Sequence, residues 1–454
     1  MDLKGKKVLV IGLGRTGIAC TRFLTERGAK VTISEAKPEA QIQEGLKEIE
    51  GLRVRIETGG HQEESFLNSD LIVVSPGIPL NILPLQAAQR KGKEIMSEIE
   101  LTYRFCDLPI IAVTGTNGKS TTTSLLGEIF QTSGKKVFVG GNIGNPLIDV
   151  FLPHERVDYV IAEISSFQLE ATSRFRPYIS ILLNITPDHL DRYPSYGEYI
   201  EAKAKIFLNQ KESDHAIVNA DDPEGLKLIN RIKAGVSFFS TRKVLRSGIY
   251  LNGDYLCYLS GQDKELYAVR DLSLTGIHNY ENIMASIIAS KICGLPSGMI
   301  RLALSQFKAL EHRMELVRVV KGVKFYNDSK GTNVGAVVRS LESFPSNVIL
   351  IAGGKDKSSN YQVLRNSAQG RLIALVLLGQ AKEKMKKALG DMAPTYVVKD
   401  LDEAVTTAFK ISSPGDIVLF SPACSSFDMF KNFEERGKAF KNLVNRLSVR
   451  EDGG

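Results

Sequence analysis

No uninterrupted apolar run in the 454 residues approaches the ~18–20 needed to cross a bilayer, so membrane insertion is not expected. The five cysteines (Cys20, Cys106, Cys257, Cys293, Cys424) are dispersed, with no C-x-x-C pair and an odd total. That spacing fits neither a disulfide framework nor a zinc site, and it favours a reducing, cytoplasmic setting. Dense Lys/Arg runs are also missing. The balance of 58 basic to 51 acidic residues gives only +7, which argues against a nucleic-acid partner and suits small anionic ligands such as phosphates and carboxylates. The start, Lys6-Lys7 followed by VLVIGLG, has a short apolar run that passes into glycine and charge rather than a cleavage site, and it reads as a first strand. No short repeat or low-complexity segment is present.

What is present is an alternation of short Val/Ile/Leu runs with longer amphipathic segments, the pattern of βαβ units and parallel sheets. With 43% apolar residues and this length, two or three domains with substantial cores are expected. Three blocks each carry a glycine-rich strand-to-helix turn: strands at 8–11, 31–33 and 71–74; at 110–113, 159–163 and 179–183; and at 348–351, 373–378 and 417–420. The expected division is 1–98, 99–309 and 310–454: Rossmann-like first and last domains around a central nucleotide-binding parallel sheet. Residues 236–275, richer in turns, predict an antiparallel edge of the central sheet.

The strongest local signal is Thr114-Gly115-Thr116-Asn117-Gly118-Lys119-Ser120-Thr121, between an apolar strand and a helical run. Glycines let backbone N–H groups converge on phosphate oxygens, and the helix N-terminus adds partial positive charge. Lys119 supplies a point charge to the β/γ-phosphates, and Ser120 or Thr121 can reach a magnesium ion. The common G-x-x-x-x-G-K-[ST] pattern is not satisfied, because Val113 holds the first-glycine position. A second turn, Gly12-Leu13-Gly14-Arg15-Thr16-Gly17 with Glu35 at the end of the next strand, outlines a dinucleotide fingerprint. It makes NAD binding the rival reading, since G-x-G-x-x-G alone does not separate NAD from a UDP-sugar. A non-catalytic UDP-nucleotide sensor is a second rival.

The octet resembles the ATP loop of the Mur ligase family, and further matches span nearly the whole chain. They are Ala162–Glu170 (AEISSFQLE), Asn184–Tyr193 (NITPDHLDRY), Gly276-Ile277-His278-Asn279, His312-Arg313, Asn327–Asn333 (NDSKGTN), and Ser421–Asp428 (SPACSSFD) leading into Lys431-Asn432-Phe433. The S-S-F-Q-L-E and S-P-A-C-x-S-x-D blocks resemble the D-glutamate-adding branch, and the D-N-P-R signature of the diaminopimelate-adding branch is absent.

The resemblance implies an ATP- and magnesium-dependent ligase that joins D-glutamate to UDP-N-acetylmuramoyl-L-alanine through an acyl phosphate, in cell-wall synthesis, with a monomer expected. It implies Lys119, His189, Lys203 and Arg313 as catalytic. Gly115, Thr116, Asn117, Gly118, Ser120, Thr121, Asn279 and Asp328 join Lys119 and Arg313 around ATP. Gly14, Arg15, Thr16, Glu35, Lys37, Ser75, Pro76, Gly77 and Asn142 fall to the UDP substrate, and Lys330, Thr332, Lys357, Ser426 and Phe433 to D-glutamate. Ser120, Glu163, His189 and Lys203 are the implied holders of two magnesium ions, Lys203 as a carbamate; from the residues alone it is a helix-surface lysine. Two departures stand out. Ala36-Lys37 replaces the Thr-Arg of some members, and Ser358 stands where relatives have glycine, leaving open which of Lys355 and Lys357 points inward. Cys424 reads as a buried structural thiol.

Overall fold

The computed structural model describes residues 1–152, 156–261 and 263–447. Among them are three sheets. The first is fully parallel, in the order β3-β2-β1-β4-β5, from β1 (Lys7–Ile11), β2 (Lys30–Ser34), β3 (Arg55–Glu57), β4 (Leu71–Val74) and β5 (Glu94–Ser97). Its central strands are buried apolar runs, as expected where helices cover both faces.

The second sheet is built from β6 (Ile110–Thr114), β7 (Val137–Gly141), β8 (Tyr159–Glu163), β9 (Ile179–Leu182), β10 (His215–Asn219), β11 (Gly235–Ser240), β12 (Gly248–Asn252), β13 (Tyr255–Ser260) and β14 (Asp263–Ala268). They run β14-β13-β12-β11-β10-β9-β6-β8-β7. Strands β12 to β14 pair antiparallel, the edge expected from residues 236–275. The third sheet, in the order β15-β16-β20-β17-β18-β19, comprises β15 (Glu315–Val320), β16 (Val323–Asn327), β17 (Val348–Gly353), β18 (Leu372–Leu378), β19 (Thr395–Val397) and β20 (Ile417–Phe420). Only its β15–β16 pair is antiparallel.

The chain packs as two compact units. One comprises Met1–Ile185, Gly197–Thr275 and Asn279–Phe307; the other Thr186–Tyr196, Gly276–His278 and Lys308–Gly454. The first two sheets therefore share a unit, and two buried carboxylates show how. The chain leaves β5 directly into the helix Glu98–Tyr103, of which residues 98 to 102 are buried. Glu100 accepts from the backbone N–H groups of Ser173, Arg174 and Phe175 at 2.9–3.1 Å and from Arg104 Nε at 2.8 Å. Those bonds outweigh the cost of burial and hold its pKa below the usual carboxylate value. Glu98 accepts the Ile148 N–H at 2.6 Å, but its Oε2 is buried without a partner, and burial pushes its pKa up to about 7. No described helix is long and apolar enough to cross a membrane.

Candidate active site

The phosphate loop connects β6 to the helix Lys119–Thr132. Gly118 caps that helix at φ 91°, a left-handed conformation, and a Cβ there would overlap Asn282 Oδ1. The loop is gripped from β9's end by Asn184, whose side chain accepts from the Asn117 N–H (2.9 Å) and donates to the Asn117 carbonyl (3.0 Å). The Asn184 carbonyl also accepts the Thr116 N–H at 2.8 Å. Lys119 Nζ folds back onto the carbonyls of Gly115 and Thr116, 2.8 Å each. Ser120 and Thr121 sit buried in the first helical turn.

Lys203 is not the surface lysine its sequence setting suggests. It is 1% exposed, its Nζ donates to the same Gly115 carbonyl at 2.8 Å, and it lies 4.7 Å over the Tyr199 ring. The Tyr199 hydroxyl in turn meets Thr116 Oγ1 at 3.1 Å. The helix Tyr196–Ala204 thus carries two side chains to the head of the loop, four residues apart on one face.

Glu163 ends β8 and is 1% exposed. Its Oε1 accepts from Asn142 Nδ2 at 2.7 Å, while Oε2 is buried with no hydrogen-bond partner. A buried carboxylate oxygen without a donor suits a hard cation, so the donor set fits magnesium. Among the described residues no three His, Cys, Asp or Glu side chains converge. Asn142, expected beside the UDP substrate, braces Glu163. His189, expected alongside Glu163, lies on the Thr186–Tyr196 segment, which packs with the second unit. Its φ of 56° is unusual for a non-glycine residue, and its Nε2 is 3.6 Å from Asp188 Oδ2.

At the first sheet, Arg15 and Thr16 open the helix Arg15–Glu26 behind Gly14. Gly17 is obligatory, since a Cβ would overlap the Gly12 carbonyl. Glu35 braces the turn: its Oε2 accepts the Leu13 N–H (2.8 Å) and its Oε1 the Lys37 N–H (3.0 Å). Ser75 begins a short turn, its carbonyl accepting the Ile78 N–H at 3.0 Å across Pro76 and Gly77. Asn279 Nδ2 caps the Thr275 carbonyl.

In the second unit, three neighbouring strands release their loops at one sheet edge. After β16, Asp328 is buried and accepts from Ser340 and Ser421 hydroxyls, both 2.7 Å. Burial pushes its pKa up to about 6, although those hydroxyls and the Arg313 charge pull the other way. Lys330 Nζ lies 3.8 Å over the Phe433 ring, and the Thr332 N–H returns to the Lys330 carbonyl. After β17, Lys355 is exposed whereas Lys357 is half-buried, its Nζ 3.5 Å from Asp188. Ser358 sits at φ 57°, a left-handed conformation that glycine adopts more readily. After β20, Ser426 is buried, and Phe433 begins the helix Phe433–Arg446 with Asn432 as its cap. Cys424 Sγ is 3.1 Å from the Tyr361 hydroxyl, and burial pushes its pKa up to about 11, so it is a thiol at neutral pH rather than a nucleophile. Burial, with the charges of Arg339 and Arg313 adding, lowers His278 to about 4.

Asn184, Asn282 and Tyr199 were not singled out by sequence. Asn184 lies inside a matched block, but nothing local announces that it grips a loop 67 residues away.

Residues 6–97 match the Mur ligase MurD-like N-terminal domain, 113–290 the Mur ligase middle domain and 312–424 the Mur ligase glutamate ligase domain. A protein of Geotalea uraniireducens named UDP-N-acetylmuramoylalanine–D-glutamate ligase is 50% identical over 447 residues, 98% of this chain and 99% of its own. One of the same name from Geobacter metallireducens is 46% identical over 451 residues, 99% of this chain and 100% of its own. The fold is similar to MurF ligase of Thermotoga maritima in complex with ADP (TM-score 0.60, 16% identity, covering 98% of this chain and 97% of that one). It is also similar to UDP-N-acetylmuramate-alanine ligase MurC of the same organism (TM-score 0.58, 19% identity, covering 97% and 99%). By sequence and by fold, this three-domain α/β chain belongs to the Mur ligase family.

Proposed function

We propose that the chain is the ATP-dependent ligase that adds D-glutamate to UDP-N-acetylmuramoyl-L-alanine in peptidoglycan synthesis. The observation that carries this reading is the phosphate loop, with its left-handed Gly118, its lysine held over it and the orphaned Glu163 oxygen in the same unit. The choice of D-glutamate rests on relatives of that name matching the chain end to end. Family members are ATP- and magnesium-dependent in general.

A carboxylate does not acylate an amine at neutral pH, because its leaving oxygen is too poor. In this reading the γ-phosphoryl group of ATP passes to the acceptor carboxylate, ADP leaves, and the amine of D-glutamate attacks the acyl carbon. Phosphate then departs and the amine gives up a proton. Lys119 and Arg313 offset charge on the transferring group. Ser120, Glu163, His189 and Lys203 as its carbamate would hold two magnesium ions, which supply charge neutralisation at the phosphates. Burial of Lys203 on the carbonyl it shares with Lys119 supports the carbamate, since adding CO₂ replaces one of two crowded cations by an anion. Arg15, Thr16 and the Ser75–Gly77 turn face the UDP group; Asn279, Arg313 and Asp328 serve ATP; Lys330, Thr332, Lys357, Ser426 and Phe433 serve D-glutamate. Division near residues 98 and 309 assigns these ligands to three domains, and unpaired cysteines suit the cytoplasm.

The nicotinamide reading is weaker, because it leaves the loop at 114–121 and the third domain without a role. A phosphate-release assay with each substrate omitted in turn tests the proposal. Release should require ATP, magnesium, the UDP acceptor and D-glutamate together. Equal release without acceptor, or reduction of NAD, would reject it.

A further inference from the structure

Arg436 lies in the first turn of the helix Phe433–Arg446 and is 2% exposed. Its Nε donates to Ser329 Oγ (3.1 Å), Nη2 to the Ser329 carbonyl (2.8 Å) and Nη1 to the Cys424 carbonyl (3.1 Å). Gly354 packs against Nη1, leaving no room for a side chain. Every acceptor is neutral: among the described residues no carboxylate lies within ion-pair distance of it. Asp428 and Asp328 act on it only through space, so a guanidinium withdrawn from water without a direct ion pair costs several kcal/mol, roughly, and calls for a role. Burial lowers its pKa to about 10, which still leaves it charged at neutral pH.

The three residues it touches sit in the loops after β16, β20 and β17, which are consecutive in the third sheet. Each loop carries part of the amino-acid pocket proposed above: Lys330 and Thr332, Ser426, and Lys357. Ser329 Oγ also donates to the carbonyl of Phe433 at 2.9 Å, tying in the start of Arg436's own helix. One planar fork thus joins three loops, adding to the backbone bonds that the loop after β20 makes to the other two (Ala423 N–H to the Gly331 carbonyl, Lys355 N–H to the Ser425 carbonyl). We infer that Arg436 is the positioning residue for the incoming amino acid: it fixes the three loops in register and sets a positive charge, bonded directly only to neutral acceptors, beneath a pocket for a dicarboxylate.

This inference rests on the D-glutamate reading, and phosphate release separates the two. If the wild type releases no phosphate in response to D-glutamate, the reading itself fails. If it does, Arg436→Gln, which keeps donors but loses the charge, should raise the KM for D-glutamate about 30-fold or more. The KM for ATP and kcat at saturating D-glutamate should stay within about threefold, the split expected for lost substrate binding. Arg436→Lys, which keeps the charge but not the fork, should raise the D-glutamate KM about five- to tenfold. A folded Gln variant with an unchanged D-glutamate KM, or with both KM values raised alike, overturns the inference. Should the Gln variant not fold, by circular dichroism, the Lys variant decides. A selective rise in its D-glutamate KM keeps the inference; an unchanged value, or an equal rise for ATP, rejects it.

Discussion

The phosphate loop and the three loops at the edge of the third sheet solve the same problem, holding irregular backbone still, in opposite ways. The phosphate loop puts glycine wherever φ is positive (Gly115, Gly118) and is braced by its own lysine and one neighbouring strand. The second unit places Ser358 and Ala423 at φ near 57–58° and braces its loops from a distant helix. A loop whose composition suits its shape stores little strain, whereas a loop of ordinary residues must be held by its surroundings. The first should therefore fail when its own residues change, and the second when its brace does.

The largest expected effect is at the first. Lys119→Ala should lower turnover by about a thousandfold or more, the scale of a lost transition-state charge contact, with the melting temperature little changed. A variant retaining a tenth of the activity would break the assignment of this loop to the transferring phosphate. Next, Gly118→Ala must adopt a left-handed conformation and displace Asn282, so a stability loss of about 2–4 kcal/mol is expected. Urea titration should show it as a lower midpoint at constant slope. An unshifted midpoint would mean that the loop is not held as described.

A third test contrasts pH sensitivity. Glu98 has its folded pKa raised to about 7 from an ordinary 4.5, so the folded state holds its proton more tightly than the unfolded chain does. Stability from this group is then fully present below pH ~4.5, falls as pH rises towards ~7, and is flat above, with a total on the order of 3 kcal/mol. Glu98→Gln should match the wild type in melting temperature at pH 5 and exceed it at pH 8. Equal temperatures at both pH values would show that the buried carboxyl does not titrate there. The smallest effect is Ser358→Gly, which removes left-handed strain but loosens the unfolded chain, for a net gain of at most about 1 kcal/mol. Measurable destabilisation would contradict the strain argument.

How much of this was legible in the sequence follows the same division. The phosphate loop announces itself because strand, glycines, lysine and helix are consecutive. Strands β1, β4, β6, β8, β17 and β20 are legible because a buried parallel strand reads as an apolar run. Lys203 looked like a surface residue because helical periodicity reports a face, not what covers it. Arg436 sits in Phe433-Glu434-Glu435-Arg436, which reads as a charged, solvated turn; its burial depends on loops around residues 329, 354 and 424 that only the fold assembles. Sequence left open which of Lys355 and Lys357 points inward; within the second unit Lys357 approaches Asp188.

Glu100 carries a consequence for modularity. Its carboxylate terminates three successive N–H groups of Ser173, Arg174 and Phe175, so each partner is incomplete without the other. A cut that separates the Glu98–Tyr103 helix from the second sheet, or a graft that draws the two from different relatives, strands those donors in the interior at about 1–3 kcal/mol apiece. In chimeras the Glu98–Tyr103 helix therefore travels with the second sheet, and a recombination point between the first two sheets belongs before it, so that Glu100 and the 173–175 turn come from the same parent.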